Sequence, residues 1–442
     1  MRFVAKRNSL SSAILLISGL FISQQPAAAG GSPPLAANDV SILFPLPTSG
    51  NLLDFITIAD LKGIDDIRLL SDAAFDQFIA VSESADSKIA TGAGSATQIA
   101  FPAPTKNAKD WLVAGIRLDV GAPGLSANVM DKFGQIPQVR LILQPVTPKP
   151  GGGLTVHDRA AHVIFSFAKG FSQQQENCQI TVVPRIEPDL DAFRPLLDDF
   201  KALRDDLADG KFGDPVDTSG PLKVHPGLAA PGRKAVRDRI EAILEKHLKA
   251  KQVTALAVMG LPAGAPEPWI FMPMRRNPGN DTVSAVPSPT LDGQAKAQLL
   301  KFLGSDRVLP APKTDNQAES MTTCFRKPAD RVGVSTVELF SASATPQRTV
   351  EVTETIADPS KSHFFNTDCL SCHTETRLLL AKSPGTAITG VDASVLPETQ
   401  WNVRNFGWGS EFGRMKPTIT RRTATETDEV VNAANLLLSD TP

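Results

Sequence analysis

"NTDCLSCHTETR", residues 366–377, holds two of the chain's four cysteines, Cys369 and Cys372, and a histidine directly after the second, His373. Two intervening residues let one helical turn present both sulfurs to the same edge, and the next residue projects its imidazole beside them. Three chemistries use such a set: covalent attachment of a macrocycle, a dithiol redox centre, and half of a zinc site. The choice among them decides whether the C-terminal part is a small helical domain built around a cofactor or the ordinary end of a larger fold.

The rest of the sequence weights the choice. Residues 1–29 read as a secretory signal peptide, with Arg2, Lys6 and Arg7 ahead of the apolar "AILLISGLFI" and a small-residue cleavage site in "PAAAG". No later apolar run approaches the roughly 20 residues of a membrane helix, so no transmembrane segment is expected after signal removal. The chain is expected in the periplasm or outside the cell. An oxidising compartment lowers the weight of zinc and cytosolic dithiol readings and favours disulfides. Cys178 and Cys324 are then a candidate disulfide if the fold brings them together, and two separately buried thiols otherwise. The formal net charge of −2 suggests no nucleic-acid partner.

Cys-x-x-Cys-His is the attachment signature of c-type haem. Cys369 and Cys372 would form thioethers to one covalent haem c, and His373 would be the proximal iron ligand. Only one such motif is present, so a two-haem protein is not expected. With these residues in place, positions 360–442 resemble a class I, mono-haem cytochrome c. Phe365 stands four residues ahead of Cys369, where that family has an aromatic residue. Pro384, in "AKSPG", matches the family's proximal proline, whose neighbouring carbonyl accepts the histidine's ring N–H. "TATETDEVVNAANLLLSD" matches its C-terminal helix, with Thr425 and Asp428 as an N-cap pair. The sequence departs from the family at Lys361, where a glycine is usual, and in its last helix, where leucine replaces an aromatic. The resemblance implies a small all-α domain that carries single electrons to or from a redox partner protein or a small donor or acceptor.

For the sixth ligand, Met415 in "GRMKPT" is the one methionine after His373, and no histidine follows. With Pro417 behind it, Met415 also resembles the family's methionine ligand. The alternatives are a surface or core methionine with the iron five-coordinate, or a ligand from elsewhere. His363 belongs to the proximal side, and His157 or His162 could reach the iron only if the N-terminal region caps the haem. Trp401, Phe406, Trp408 and Phe412 supply a small apolar core. Arg404 and Trp401 are candidates to hydrogen-bond the propionates, an arginine in a loop being otherwise a solvated charge.

Residues 38–355 follow a flexible lead-in, 30–37, and read as a mixed α/β region, with possible subdomains 38–185 and 186–355. The whole is expected to be an α+β multidomain protein. "QVRLILQPV", "HVIFSFA", "VTALAVMGL" and "EPWIFMPM" read as strands. "SDAAFDQFIAVSESA", "PDLDAFRPLLDDFKALRDDLADG" and "KAVRDRIEAILEKHLKA" have helical periodicity. A further helix is expected around 295–303, a strand at "RTVEVTET", and a domain boundary near Asp358. No nucleophile motif, phosphate loop or metal cluster stands out, and His157 and His162, five apart, fall on opposite faces of a strand. Three functions stay open: an electron-transfer cytochrome, a haem-containing oxidoreductase whose N-terminal region binds substrate, and a haem-stabilised binding protein. No catalytic residue is assigned.

Overall fold

Strong alternation in long β-branched runs sets the architecture. The computed structural model describes residues 34–439 apart from 49–51, 85–98, 123, 126–134, 170–186, 230–232, 262–268, 286–297, 301–333, 335, 341–342, 363–366, 368, 400 and 412. The signal segment, Cys178, Cys324, His363, Phe365 and Phe412 lie outside the described residues.

Among the described residues nine strands form one antiparallel sheet: β1 (Ser41–Leu43), β2 (Trp111–Ala122), β3 (Ile136–Pro148), β4 (Leu154–Val156), β5 (Ala160–Ser166), β6 (Val253–Gly260), β7 (Trp269–Asn277), β8 (Thr282–Ala285) and β9 (Gln298–Leu300). Their order is β1-β2-β3-β5-β6-β7-β8, with β4 paired to β3 and β9 to β7. The helices are α1 (Ala37–Val40), α2 (Asp72–Glu83), α3 (Leu190–Ala208), α4 (Pro226–Ala229), α5 (Arg233–His247), α6 (Pro346–Ala357), α7 (Cys369–Lys382) and α8 (Arg421–Ser439). A hairpin of β10 (Phe406–Glu411) and β11 (Arg414–Ile419) lies between the last two helices.

One sheet face packs on α3 and α5. Phe193, Leu196, Leu197 and Phe200 of α3 and Ile240, Ile243 and Leu244 of α5 share the main core with Val163 and Phe165 of β5. Because strand side chains alternate, Ala160, His162, Ile164 and Ser166 of β5 point the other way, into an open cavity.

Two expected elements change type. "RTVEVTET" is part of α6: Thr345 caps it by accepting the Arg348 N–H, and Pro346 occupies the first turn. The hydroxyls of Thr349 and Thr353 donate to the carbonyls four residues back, at 2.9 and 2.8 Å, so these β-branched residues are satisfied in a helix. Val352 and Ile356, one helical turn apart, bury against Leu378 of α7. Around 295–303, the described residues 298–300 form strand β9, held by pairing to β7.

The C-terminal part is not a small all-α domain. It carries the β10–β11 hairpin, and residues Pro34–Pro442 form one compact unit. The tie is physical. Trp408 is fully buried, its indole N–H donates to the Phe44 carbonyl at 3.0 Å, and its backbone exchanges two hydrogen bonds with the Gln144 amide at 2.7 and 3.1 Å. Helix α8 begins at Arg421, ahead of the expected Thr425–Asp428 cap, and the Thr425 hydroxyl instead reaches the Ala357 and Arg422 carbonyls. The expected lead-in is also partly ordered: Leu35 is buried and exchanges two hydrogen bonds with the Asn435 side chain, at 2.8 and 2.9 Å.

Gly115 of β2 is where the hairpin meets the sheet, since a Cβ there would lie 2.5 Å from the Phe406 ring. A Gly115→Ala variant is expected to lose about 1–3 kcal/mol by overpacking. A lowered urea midpoint with an unchanged slope would register it; an unchanged midpoint would contradict this packing.

Candidate functional site

The open sheet face, α7 and the start of α8 enclose a cavity of about 1500 Å³. Its sheet wall is built from cross-strand rows. Ala160, Met259 and Phe271 form one row across β5, β6 and β7, and Ile142, His162, Ala257 and Pro273 form the next across β3 to β7. The third row is Arg117, Arg140, Ile164, Ala255 and Arg275. Sheet pairing thus sets an apolar strip with one histidine beside a basic strip.

The opposite wall is the motif. Helix α7 begins at Cys369, so Cys369, Cys372 and His373 fall at i, i+3 and i+4 on one helical face, and all three line the cavity. The His373 ring lies 4.7 Å from that of Phe271, tilted by 50°. Its Nδ1 is 2.7 Å from the Val403 carbonyl oxygen, which fixes Nδ1 as the protonated nitrogen and leaves the Nε2 lone pair for a ligand. Burial pushes the His373 pKa down to about 4, against the Val403 hydrogen bond and with help from the Arg404 charge. The imidazole is therefore neutral at pH 7, the form that binds a metal.

The acceptor for that ring N–H is not near Pro384. Helix α7 continues to Lys382, roughly 14 Å along its axis from His373, and leaves Pro384 exposed in the turn that follows. Met415 sits in β11 opposite Ser410, packs on the main core and does not line the cavity. Arg404 is buried and structural: its Nη2 is 2.7 Å from Asp158 and its Nε donates to the Trp408 carbonyl at 3.1 Å. Trp401 packs half-buried on the apolar cluster that holds Leu370, Met259, Phe271 and Cys369. The structure thus brings Cys369, Cys372 and His373 together at the cavity, and leaves Met415, Pro384, Arg404 and Trp401 off its lining.

His162 shares the cavity with the motif, unlike His157, which lies between β4 and β5, 2.8 Å from the Thr147 hydroxyl. Among the described residues His162 has no hydrogen-bond partner. Burial and the charges of Arg140, His373, Arg117 and Arg404 push its pKa down to about 3, so it too is a neutral base. The cavity's charged rim is paired: Glu426 lies 2.9 Å from Arg117 and 2.8 Å from Arg422, and Asp119 lies 2.9 Å from Arg140. Burial opposes the Arg422 charge, but Glu426, Cys372 and Glu375 outweigh it and raise its pKa. The sequence alone leaves Met259, Phe271 and Arg422 unassigned and makes His162 a ligand only if the N-terminal region caps the haem, because all four belong to the site through sheet register and helix docking. The alternation of "HVIFSFA" was the one local sign that His162 faces away from the core.

Among the described residues no three His, Cys, Asp or Glu side chains converge to hold a bare metal ion. Compared with known proteins, the chain matches no family model, no curated protein and no solved structure.

Proposed function

We propose that the protein is an exported c-type cytochrome, periplasmic or secreted, that binds one covalent haem c and transfers single electrons. The observation that carries this reading is the shared face of Cys369, Cys372 and His373 on a cavity, with the His373 tautomer fixed by Val403. The residues fit the group: two thiols a helical turn apart, a neutral imidazole with a lone pair available, and a volume above the roughly 300–1,000 Å³ of ordinary small-molecule pockets. Haem bound there would supply a one-electron ferric/ferrous couple. Cys369 and Cys372 would anchor it, His373 would hold the iron, Phe271 would keep the imidazole in orientation, and Ala160, Met259 and Ile142 would keep water from its faces. Apolar enclosure of this kind disfavours the more highly charged oxidation state and so tunes the potential. Arg117, Arg140 and Arg422 supply the positive charge that carboxylate substituents would meet.

The test is haem content and redox titration of protein matured in a host competent for haem attachment. One haem per chain is expected to survive denaturation, to be lost in a Cys369→Ser, Cys372→Ser double variant, and to titrate as a single one-electron couple. Wild-type protein without covalent haem would sink the reading.

The cavity's size favours a second reading, an oxidoreductase in which the sheet wall binds a small substrate whose electrons pass to the haem. Reduction of the bound haem by a specific small molecule supports it; reduction only by another protein supports electron transfer.

A further inference from the structure

The sheet wall raises a question that the motif does not answer, namely what occupies the iron's second axial position. Met415, the nearest methionine in sequence terms, sits in β11 off the cavity lining. Of the lining side chains that carry a lone pair, Met272 and Met274 are 2% and 1% exposed and packed in the helix-side core, and Met259 is 6% exposed and packed on Leu370 and Val403. His247, the other lining histidine outside the motif, is paired to Asp199 at 2.5 Å, and Lys169 to Asp191 at 3.0 Å. His162 differs from all of these. It stands in the middle of the sheet wall between Ile142 and Ala257, reaches into the cavity, and makes no hydrogen bond to any described residue. Its ring is part-exposed to the cavity, so an imidazole held there without a partner among the described residues offers a nitrogen to a ligand. Its surroundings keep it neutral, which is the state an iron ligand requires. Both imidazoles line the same cavity, His162 from the sheet and His373 from α7.

We propose that His162 of the N-terminal sheet is the second axial ligand of the haem held by Cys369, Cys372 and His373. The inference rests on the function proposed above and adds to it. The site is completed by two parts of the chain that lie about 200 residues apart in sequence, so the sheet is itself half of the redox centre. Two imidazoles in place of imidazole and thioether lower the potential, because the thioether favours the ferrous state. They also close the iron to exogenous ligands.

The test compares wild type with His162→Ala and Met415→Ala, each purified with its covalent haem. Wild-type ferric protein is expected to be low-spin, with the electron paramagnetic resonance pattern of two nitrogen ligands and no methionine-to-iron charge-transfer band. His162→Ala is expected to become high-spin, to bind carbon monoxide when reduced, and to return to low spin on adding free imidazole. That recovery separates loss of a ligand from loss of the fold. Met415→Ala is expected to leave the spectra unchanged. A low-spin spectrum retained in His162→Ala, or a charge-transfer band abolished by Met415→Ala, overturns the inference while covalent haem in the same samples leaves the proposed function standing. Wild-type protein lacking covalent haem overturns both.

Discussion

Acidification from pH 7 to pH 4 is expected to cost the wild-type protein about 3 kcal/mol more stability than it costs a His225→Gln variant. His225 is 1% exposed, its Nδ1 has no hydrogen-bond partner among the described residues, and burial pushes its pKa down to about 4. In the unfolded chain the same group titrates near 6.5. Between these values the unfolded state binds a proton that the folded state refuses, so stability falls as the pH drops from about 6.5 to about 4 and not below. Glu426 governs the next interval. Burial alone would raise its pKa, but Arg422, Arg117 and Arg140 hold it at about 2 against an ordinary 4.5. Its contribution is therefore complete above about pH 4.5 and lost as the pH falls toward 2, about another 3 kcal/mol that a Glu426→Gln variant would not lose. Asp39 works the other way. Burial raises it to about 6 despite the Ala36 N–H, Thr218 and Arg204, so its protonation favours the folded state as the pH falls from 6 to 3.8. Urea midpoints against pH for the three variants His225→Gln, Glu426→Gln and Asp39→Asn separate these limbs. Profiles parallel to wild type would show that none of the three groups is linked to folding.

A Trp408→Ala substitution is expected to remove about 3–5 kcal/mol and to do so in a single transition. The indole is fully buried, lies edge-on to Phe55 at 5.8 Å, and donates to the Phe44 carbonyl. Deleting it leaves a cavity at the junction of β10 with the sheet and strands the Phe44 carbonyl, a cost of the same order as much of a typical domain's net stability. Equilibrium unfolding followed by far-ultraviolet circular dichroism and by the fluorescence of the remaining tryptophans should give coincident curves at a lower midpoint. Two separated transitions would mean that residues 360–442 unfold on their own and that the Trp408 contacts do not couple them to the sheet.

Local pattern made much of the chain legible. Ser71 capping α2, the three-and-four spacing of Phe193, Leu196, Leu197 and Phe200, and the alternation in β5 to β7 are signals that lie within a dozen residues of one another. The motif face on α7 was legible for the same reason. Failures came where tertiary contact overrides propensity. "TVEVTET" has strand composition, yet its threonines satisfy their hydroxyls on the helix, and Val352 with the following Ile356 meets Leu378. "RNFGWGSEFGRMKPTIT" has the aromatic content of a cofactor-filled core, yet it forms a hairpin that plugs Phe406 and Trp408 into the sheet. His162 joins the site through pairings to Ile142 and Ala257, 20 and 95 residues away, and the Val403 acceptor lies 30 residues beyond His373, so neither shows in a local pattern.

The two-way amide contact between Leu35 and Asn435 spans 400 residues, and that of Gln144 with Trp408 spans 264. Contacts of such separation form late, because the loop they close must first be ordered. The cavity is bounded on one side by strands of the sheet and on the other by α7 and the start of α8. Until those contacts close, Cys369 and Cys372 stand on a wall that the sheet does not yet cover. Under the proposed function, that interval is when a bulky group would be joined to the two sulfurs.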